Sequence, residues 1–211
     1  MARHRAILQS LYPYNISARC INREWFNIPI DRVWGIFCEE LNRTIREKGL
    51  VVHSFVLMSN HFHLIASTPL ANISECMHQF MTRTSRRLTQ EGNRINETFA
   101  GRHYKCILNS HPYYLNAYKY NYRNSVAAEI CSSVEDYPFS TLRGLLSPSE
   151  SRILICEDSA FLEDKTGTLQ WLNTAPDSVK LEAFRFGLRR QYFKSKKDRN
   201  GRLLIAEGEL L

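Results

Sequence analysis

Apolar and polar positions divide the chain into short alternating segments and longer ones of helical period. In "YNISARCINR" (14–23), Ile16, Ala18 and Cys20 alternate with other residues, the period of a strand with one buried face. "PIDRVWGIFCEELNRTIREKG" (29–49) repeats apolar residues at helical spacing, with Pro29 suited to the first turn and Gly49 to the stop. "LVVHSFVLMS" and "HFHLIAST" read as two strands around a tight turn at Ser59–Asn60. A second helix is expected from about Asn72 to Gln90, with Asn72 or Ser74 as its cap. "ETFAGRHYKCIL" (97–108) predicts a strand pair or an irregular strand turning at Ala100–Gly101, and residues 111–130 are mostly helical in pattern.

The order strand, helix, two strands, helix, strand predicts an α+β chain. Its expected core is a ferredoxin-like βαββαβ antiparallel sheet with two helices on one face. The added tyrosine-bearing helix is then free to cover the other face. After "YPFSTLRGLLSPSES" the pattern weakens. The expected division is a domain over 1–148 and a helical, basic extension over 149–211. Within the extension "DSVKLEAFRFGLRRQYFK" is the clearest helical signal.

Composition narrows the class. The 211 residues suffice for one core with an appendage, and 44% hydrophobic with 23% charged residues is ordinary for a globular protein. No apolar run is long enough to span a bilayer, and the first 15 residues lack a signal-peptide core, so a cytoplasmic protein without membrane association is expected. The six cysteines are scattered without a CxxC pair, which argues against a disulfide framework or a zinc ribbon and for reduced core thiols. A net charge of +7 points toward a polyanionic partner, nucleic acid first.

Two segments carry candidate chemistry. In a strand, His61 and His63 project to one side while Phe62 and Leu64 point to the other. Paired imidazoles suit a metal ion, and equally a hydrogen-bonded pair on a partly exposed sheet. His53, on the adjacent strand, is either structural or a neighbour of that pair. Helical spacing in 111–130 puts Tyr113, Asn116, Tyr120, Asn124 and Ala127 on one side, and Tyr114, Tyr118 and Tyr122 on another. The second set reads as aromatic packing. The first sets a phenol one turn before a carboxamide, on a face that is either a site or a solvated surface.

Together these segments resemble the HUH-type single-tyrosine transposases, and within them the REP-associated tyrosine branch. "LMSNHFHLIAST" resembles their histidine segment, "YNYRNSVAA" their Tyr-x-x-x-Asn-Pro helix and "NISARCINREWF" their first strand. "TFAGRHYKCIL" is similar to their Gly-Arg-x-Tyr strand, and "DYPFSTLRGLL" to their Tyr-Pro-Trp-Ser segment. The resemblance implies that His61, His63 and Asn124 bind a divalent cation, Mg²⁺ or Mn²⁺. It also implies that Tyr120 attacks a phosphodiester of single-stranded or hairpin DNA, leaving a 5′-phosphotyrosine and a free 3′-hydroxyl. Repetitive extragenic palindromes are the implied targets, and a monomer or a homodimer the implied state. A replication-initiator nicking enzyme and a non-catalytic binder of structured DNA are the alternatives. Tyr120 follows the histidines, whereas relaxases generally carry the tyrosine before them. Ser59 and Ser125 stand where relatives commonly have proline, and Glu129 where they often have glycine.

DNA contacts are expected from Arg83, Arg86 and Arg87 on the second helix and from Arg102 on the Gly-Arg-His-Tyr strand. The basic run Arg189, Arg190, Lys194, Lys196, Lys197, with Tyr192 and Phe193 interleaved, suits backbone tracking with base stacking, or a solvated tail.

Overall fold

A computed structural model describes residues 7–93, 97–157, 161 and 163–211. Residues 1–6, part of the segment read for a signal peptide, lie outside it. Four strands, β1 (Tyr14–Arg19), β2 (Val51–Leu57), β3 (His61–Ser67) and β4 (Tyr104–Ile107), form one antiparallel sheet in the order β2-β3-β1-β4. This is the arrangement expected of a βαββαβ chain. Helices α1 (Ile30–Lys48) and α2 (Ile73–Glu91) cover one face. Pro29 is the N-cap of α1 rather than a first-turn residue, and Gly49 ends the helix at φ 67°, a left-handed conformation that glycine adopts without steric cost.

Strand alternation sorts the side chains. Tyr14, Ile16 and Ala18 of β1 and Phe62, Leu64 and Ala66 of β3 are buried toward α1 and α2. There Phe37 sits among Phe26, Phe55, Phe62, Phe80 and Phe99, with ring centroids 5.7–6.4 Å away. A register shift at His53 puts Val52, Phe55 and Leu57 into the same core despite their odd spacing, as a bulge does. His53 is structural: Nε2 lies 2.7 Å from Ser67 Oγ, Nδ1 3.1 Å from Cys156 Sγ, and its ring meets Tyr114 edge-on.

The opposite face packs on α3 (His111–Tyr122), the short α4 (Asn124–Ala127) and the later chain, which includes α5 (Leu142–Leu146), α6 (Lys165–Asn173) and α7 (Ser178–Gly187). Ile65 and Cys106 of the sheet share one cluster with Tyr118 and Tyr122, and with Phe161, Leu172, Phe184 and Phe193 from beyond residue 149. Both sheet edges carry further chain, that of β4 at Ile107. Along β2, Leu57 N–H donates to Phe139 C=O, Thr141 N–H to Phe55 C=O and Cys156 N–H to Val52 C=O. Along β4, Ile107 N–H donates to Gln191 C=O and Phe193 N–H to Ile107 C=O. All six cysteines are free thiols, four of them buried. Among the described residues no helix is long and apolar enough to cross a membrane.

Candidate active site

Because Phe62 and Leu64 are drawn into the aromatic core, His61 and His63 are forced onto the α3 face. Their rings stand 5.0 Å apart and nearly perpendicular. Across the ladder His63 pairs with Ser17 and Val56, and His61 with Arg19. His63 is 8% exposed, and neither of its ring nitrogens has a hydrogen-bond partner among the described residues. His61 Nδ1 lies 2.7 Å from Asn60 Oδ1. An Nδ1–H donating to that oxygen leaves Nε2 with its lone pair outward.

Burial, and then the charge of Arg19, pulls the His61 pKa down to about 4. Burial, then His61 and Arg19, pulls His63 well below the ordinary range. Both imidazoles are therefore neutral at pH 7, the protonation state a metal ligand needs. A buried nitrogen without a partner costs roughly 1–3 kcal/mol, a penalty that coordination removes. The pair thus fits a divalent cation. Among the described residues no group of three His, Cys, Asp or Glu side chains could hold a metal.

Helix α3 starts where Ser110 Oγ accepts from Tyr113 N–H. Its sheet-facing side carries Ala117, Tyr118, Asn121 and Tyr122, all buried. The Tyr118 and Tyr122 rings pack 4.7 Å apart and Tyr122 Oη hydrogen-bonds Thr141 Oγ1, so these two tyrosines belong to the packing, as the helical sorting predicts. Tyr120 differs. Its ring is 5.7 Å from that of His63 and perpendicular to it, and its hydroxyl has no hydrogen-bond partner among the described residues.

Asn124 follows one turn later. Its amide donates to the carbonyls of Tyr120 (2.9 Å) and Asn121 (3.3 Å), leaving Oδ1 free to accept. It makes no hydrogen bond to either histidine, but shares a cavity of about 150 Å³ with Tyr120, Lys119, Arg123 and Arg185. The fold therefore joins His61, His63 and Tyr120 through direct ring contacts, and Asn124 to Tyr120 through helix geometry. Glu129 takes φ 56°, in the left-handed region that favours glycine.

Sequence reasoning passed over several neighbours. Asn121 is fully buried, donates to Asn15 Oδ1 at 3.0 Å, and leaves its own Oδ1 unpartnered. The strand period was available to place Asn15, Ser17 and Arg19 on the histidine face. Phe184 and Arg185 meet the Tyr120 ring from α7, each at 5.8 Å. Nothing local in the sequence ties residue 185 to residue 120.

The DNA-contact candidates separate. Arg83 pairs with Glu47, and Arg87 with Glu39, Glu40 and Glu91, so these two clamp α2 onto α1 while Arg86 alone of the three stays exposed. Arg102 lines a cleft of about 640 Å³ between α2 and β4, with His78, His103, Tyr104, Lys105 and Gln191. There burial, then Lys105 and Arg102, pulls His103 down to about 4. Arg189, Arg190, Lys194, Lys196 and Lys197 are exposed around the segment that joins β4, while Phe193 is buried. Arg190 and Lys196 lie over the Phe186 ring at 5.3 and 5.8 Å.

The sequence of residues 15–126, more than half of the chain, matches the model of the IS200-like transposases. The chain belongs to that family. The transposase is also similar in structure to a REP-associated tyrosine transposase solved with a REP hairpin. The TM-score is 0.60 at 17% identity, over 75% of this chain and 93% of that one. The two share a fold. A chain from Deinococcus radiodurans R1 described as a transposase aligns at a TM-score of 0.37 and 15% identity, over 62% of this chain and 92% of that one. No curated protein matches. The α+β architecture and the transposase family expected from the segments are those found.

Proposed function

We propose that this transposase cuts and rejoins single-stranded DNA beside hairpins, through a phosphotyrosine intermediate and with a divalent cation, Mg²⁺ or Mn²⁺. The observation that carries the reading is the edge-on contact of Tyr120, whose hydroxyl has no hydrogen-bond partner among the described residues, with His63, one of two neutral imidazoles of which His63 is buried and His61 half-buried. His61 and His63 would hold the cation, with Asn124 Oδ1 as a third donor. When bound, it would polarise the scissile phosphate and stabilise charge on the non-bridging oxygens.

Tyr120 supplies the nucleophile. Its Oη forms a bond to phosphorus, the bond from phosphorus to the 3′ oxygen breaks, and that oxygen leaves as a 3′-hydroxyl after taking a proton. The phenolic proton, with an ordinary pKa near 10, must leave during attack. The product is a 5′-phosphotyrosine that a second 3′-hydroxyl can reverse, so strands are joined without an external energy source. His63 and Phe184 fix the phenol ring from two sides, which limits the orientations it must give up on attack.

Hairpin DNA is the proposed partner because the structurally similar transposase was solved on a REP hairpin. The exposed basic run and Arg86 and Arg102 are the proposed backbone contacts. The test is incubation of the full chain with single-stranded hairpin DNA and Mn²⁺ or Mg²⁺, followed by a denaturing gel. A covalent protein–DNA adduct is expected, mapped to Tyr120 by peptide mass. Absence of adduct across a panel of hairpins that the protein demonstrably binds would overturn the catalytic reading and leave a binder of structured DNA.

A further inference from the structure

Three cations line the cavity beside Tyr120 and Asn124, and two of them are already committed. Lys119 is buried and donates to Leu211 C=O at 2.6 Å while lying over the Trp171 ring. Arg123 donates to the carbonyls of Leu172 and Asn173. Arg185 is different. It is exposed, its guanidinium carbon lies 5.8 Å from the centre of the Tyr120 ring, and it meets no carboxylate or hydrogen-bond acceptor among the described residues. The cavity has no Asp or Glu side chain in its wall.

The placement of Arg185 is not left to chance. The neighbouring Phe184 is fully buried, packing against Tyr120 on one side and, 4.9 Å away, against Phe193 on the other. Asp177 caps α7 by accepting from Lys180 N–H, and Lys180 in turn pairs with Glu209. The helix is thus anchored at its start and along its buried side, and delivers an unpaired planar cation to a phenol. A guanidinium stacks on an aromatic face and, unlike an ammonium, presents a planar fork that matches two phosphate oxygens.

We propose that Arg185, carried by the C-terminal extension, grips the scissile phosphate beside Tyr120, making the extension part of the active site. The inference rests on the strand-transfer reading given above. The residue lies outside the stretch that matches the family, 15–126, so this active site would draw on a part of the chain that the family match does not reach. As Tyr120 Oη bonds to phosphorus, negative charge grows on the non-bridging oxygens. A guanidinium already in place stabilises that charge with little reorganisation.

The test compares the rate of adduct formation, and separately the hairpin affinity, for the wild type, Arg185→Ala, Arg185→Lys and Arg46→Ala. Arg46 is an exposed cation of α1, on the opposite face of the sheet. Arg185→Ala is expected to slow adduct formation about 100-fold, the usual scale for one lost charge-stabilising donor, with affinity changed less than about threefold. Arg185→Lys should fall between, and Arg46→Ala should match the wild type. An unchanged rate in Arg185→Ala overturns the proposal. So does a faster rate, which would make α7 an obstruction, or a loss of affinity equal to the loss of rate, which would make Arg185 a general DNA contact. If the wild type itself forms no adduct, the strand-transfer reading fails first. Thermal melting of each variant separates a lost contact from a lost fold.

Discussion

Lowering the pH from 7 to 5 in the presence of a chelator should remove a large share of the stability of the protein. The cause lies in one buried histidine, His63, and two half-buried ones, His61 and His103. Burial pulls His61 and His103 from 6.5 to about 4, with Arg19 adding to the first and Lys105 and Arg102 to the second. A group whose folded pKa is depressed takes up protons preferentially in the unfolded chain. Its contribution is whole above pH 6.5 and drains away as pH falls toward 4. At pH 5 each of the two costs about 2 kcal/mol, so the pair costs about 4 kcal/mol, and His63 adds a loss of the same sign. Typical domains have only about 5–15 kcal/mol to lose. Glu47, held down to about 2 by Arg43 and Arg83, titrates below this window and does not blur it. Urea denaturation at pH 7 and 5 measures the difference, and His103→Asn should shrink it by about 2 kcal/mol. Adding Mn²⁺ at pH 5 should restore part of the loss, by binding the neutral pair in the folded chain alone. A loss under about 1 kcal/mol between the two pH values would refute the claim that these imidazoles stay neutral in the folded protein.

Tyr120→Phe should abolish the covalent adduct without weakening hairpin binding in a gel shift. Tyr118→Phe should leave adduct formation intact, and Tyr122→Phe should lower stability by about 1 kcal/mol through the lost Thr141 contact, read by chemical denaturation. Glu129→Gly should raise stability by roughly 0.5–1 kcal/mol, because φ 56° is unfavourable for a side-chain-bearing residue. Arg87→Ala should destabilise the α1–α2 pairing but hardly change DNA affinity. Arg190→Ala and Lys194→Ala should each weaken binding uniformly across hairpins and lower the salt slope by about one.

Much of the scaffold was legible because its periods are local. Alternation at Ile16 and Ala18, helical spacing over 30–48 and the glycine stop at 49 each depend on a few adjacent residues. The two histidines and the sorting of Tyr118 and Tyr122 from Tyr120 followed from the same rules, since strand and helix periods fix which side chains share a face. The charge partners were less accessible. Arg83 and Arg87 looked like a free basic stripe on α2, and only the packing of α1 brings Glu47, Glu39 and Glu40 against them. The approach of α7 to Tyr120 was hidden for a related reason. It depends on the tertiary contact of Phe184 with Tyr120, 64 positions earlier in sequence, and no local period encodes such a meeting.

The covered sheet edges also bear on how the protein can associate. An open edge strand offers unpaired backbone groups to any neighbouring chain and invites sheets to fuse. Here residues 139–141 and 156 engage β2, and residues 191–193 run beside Ile107 of β4. A second copy could extend the ladder at Ile107 only by first peeling this segment away. That would also uncover Phe193, which is packed against Phe184 and Tyr113. Extension of the sheet at Ile107 is therefore opposed by the same residues that keep Phe193 buried beside Phe184 and Tyr113.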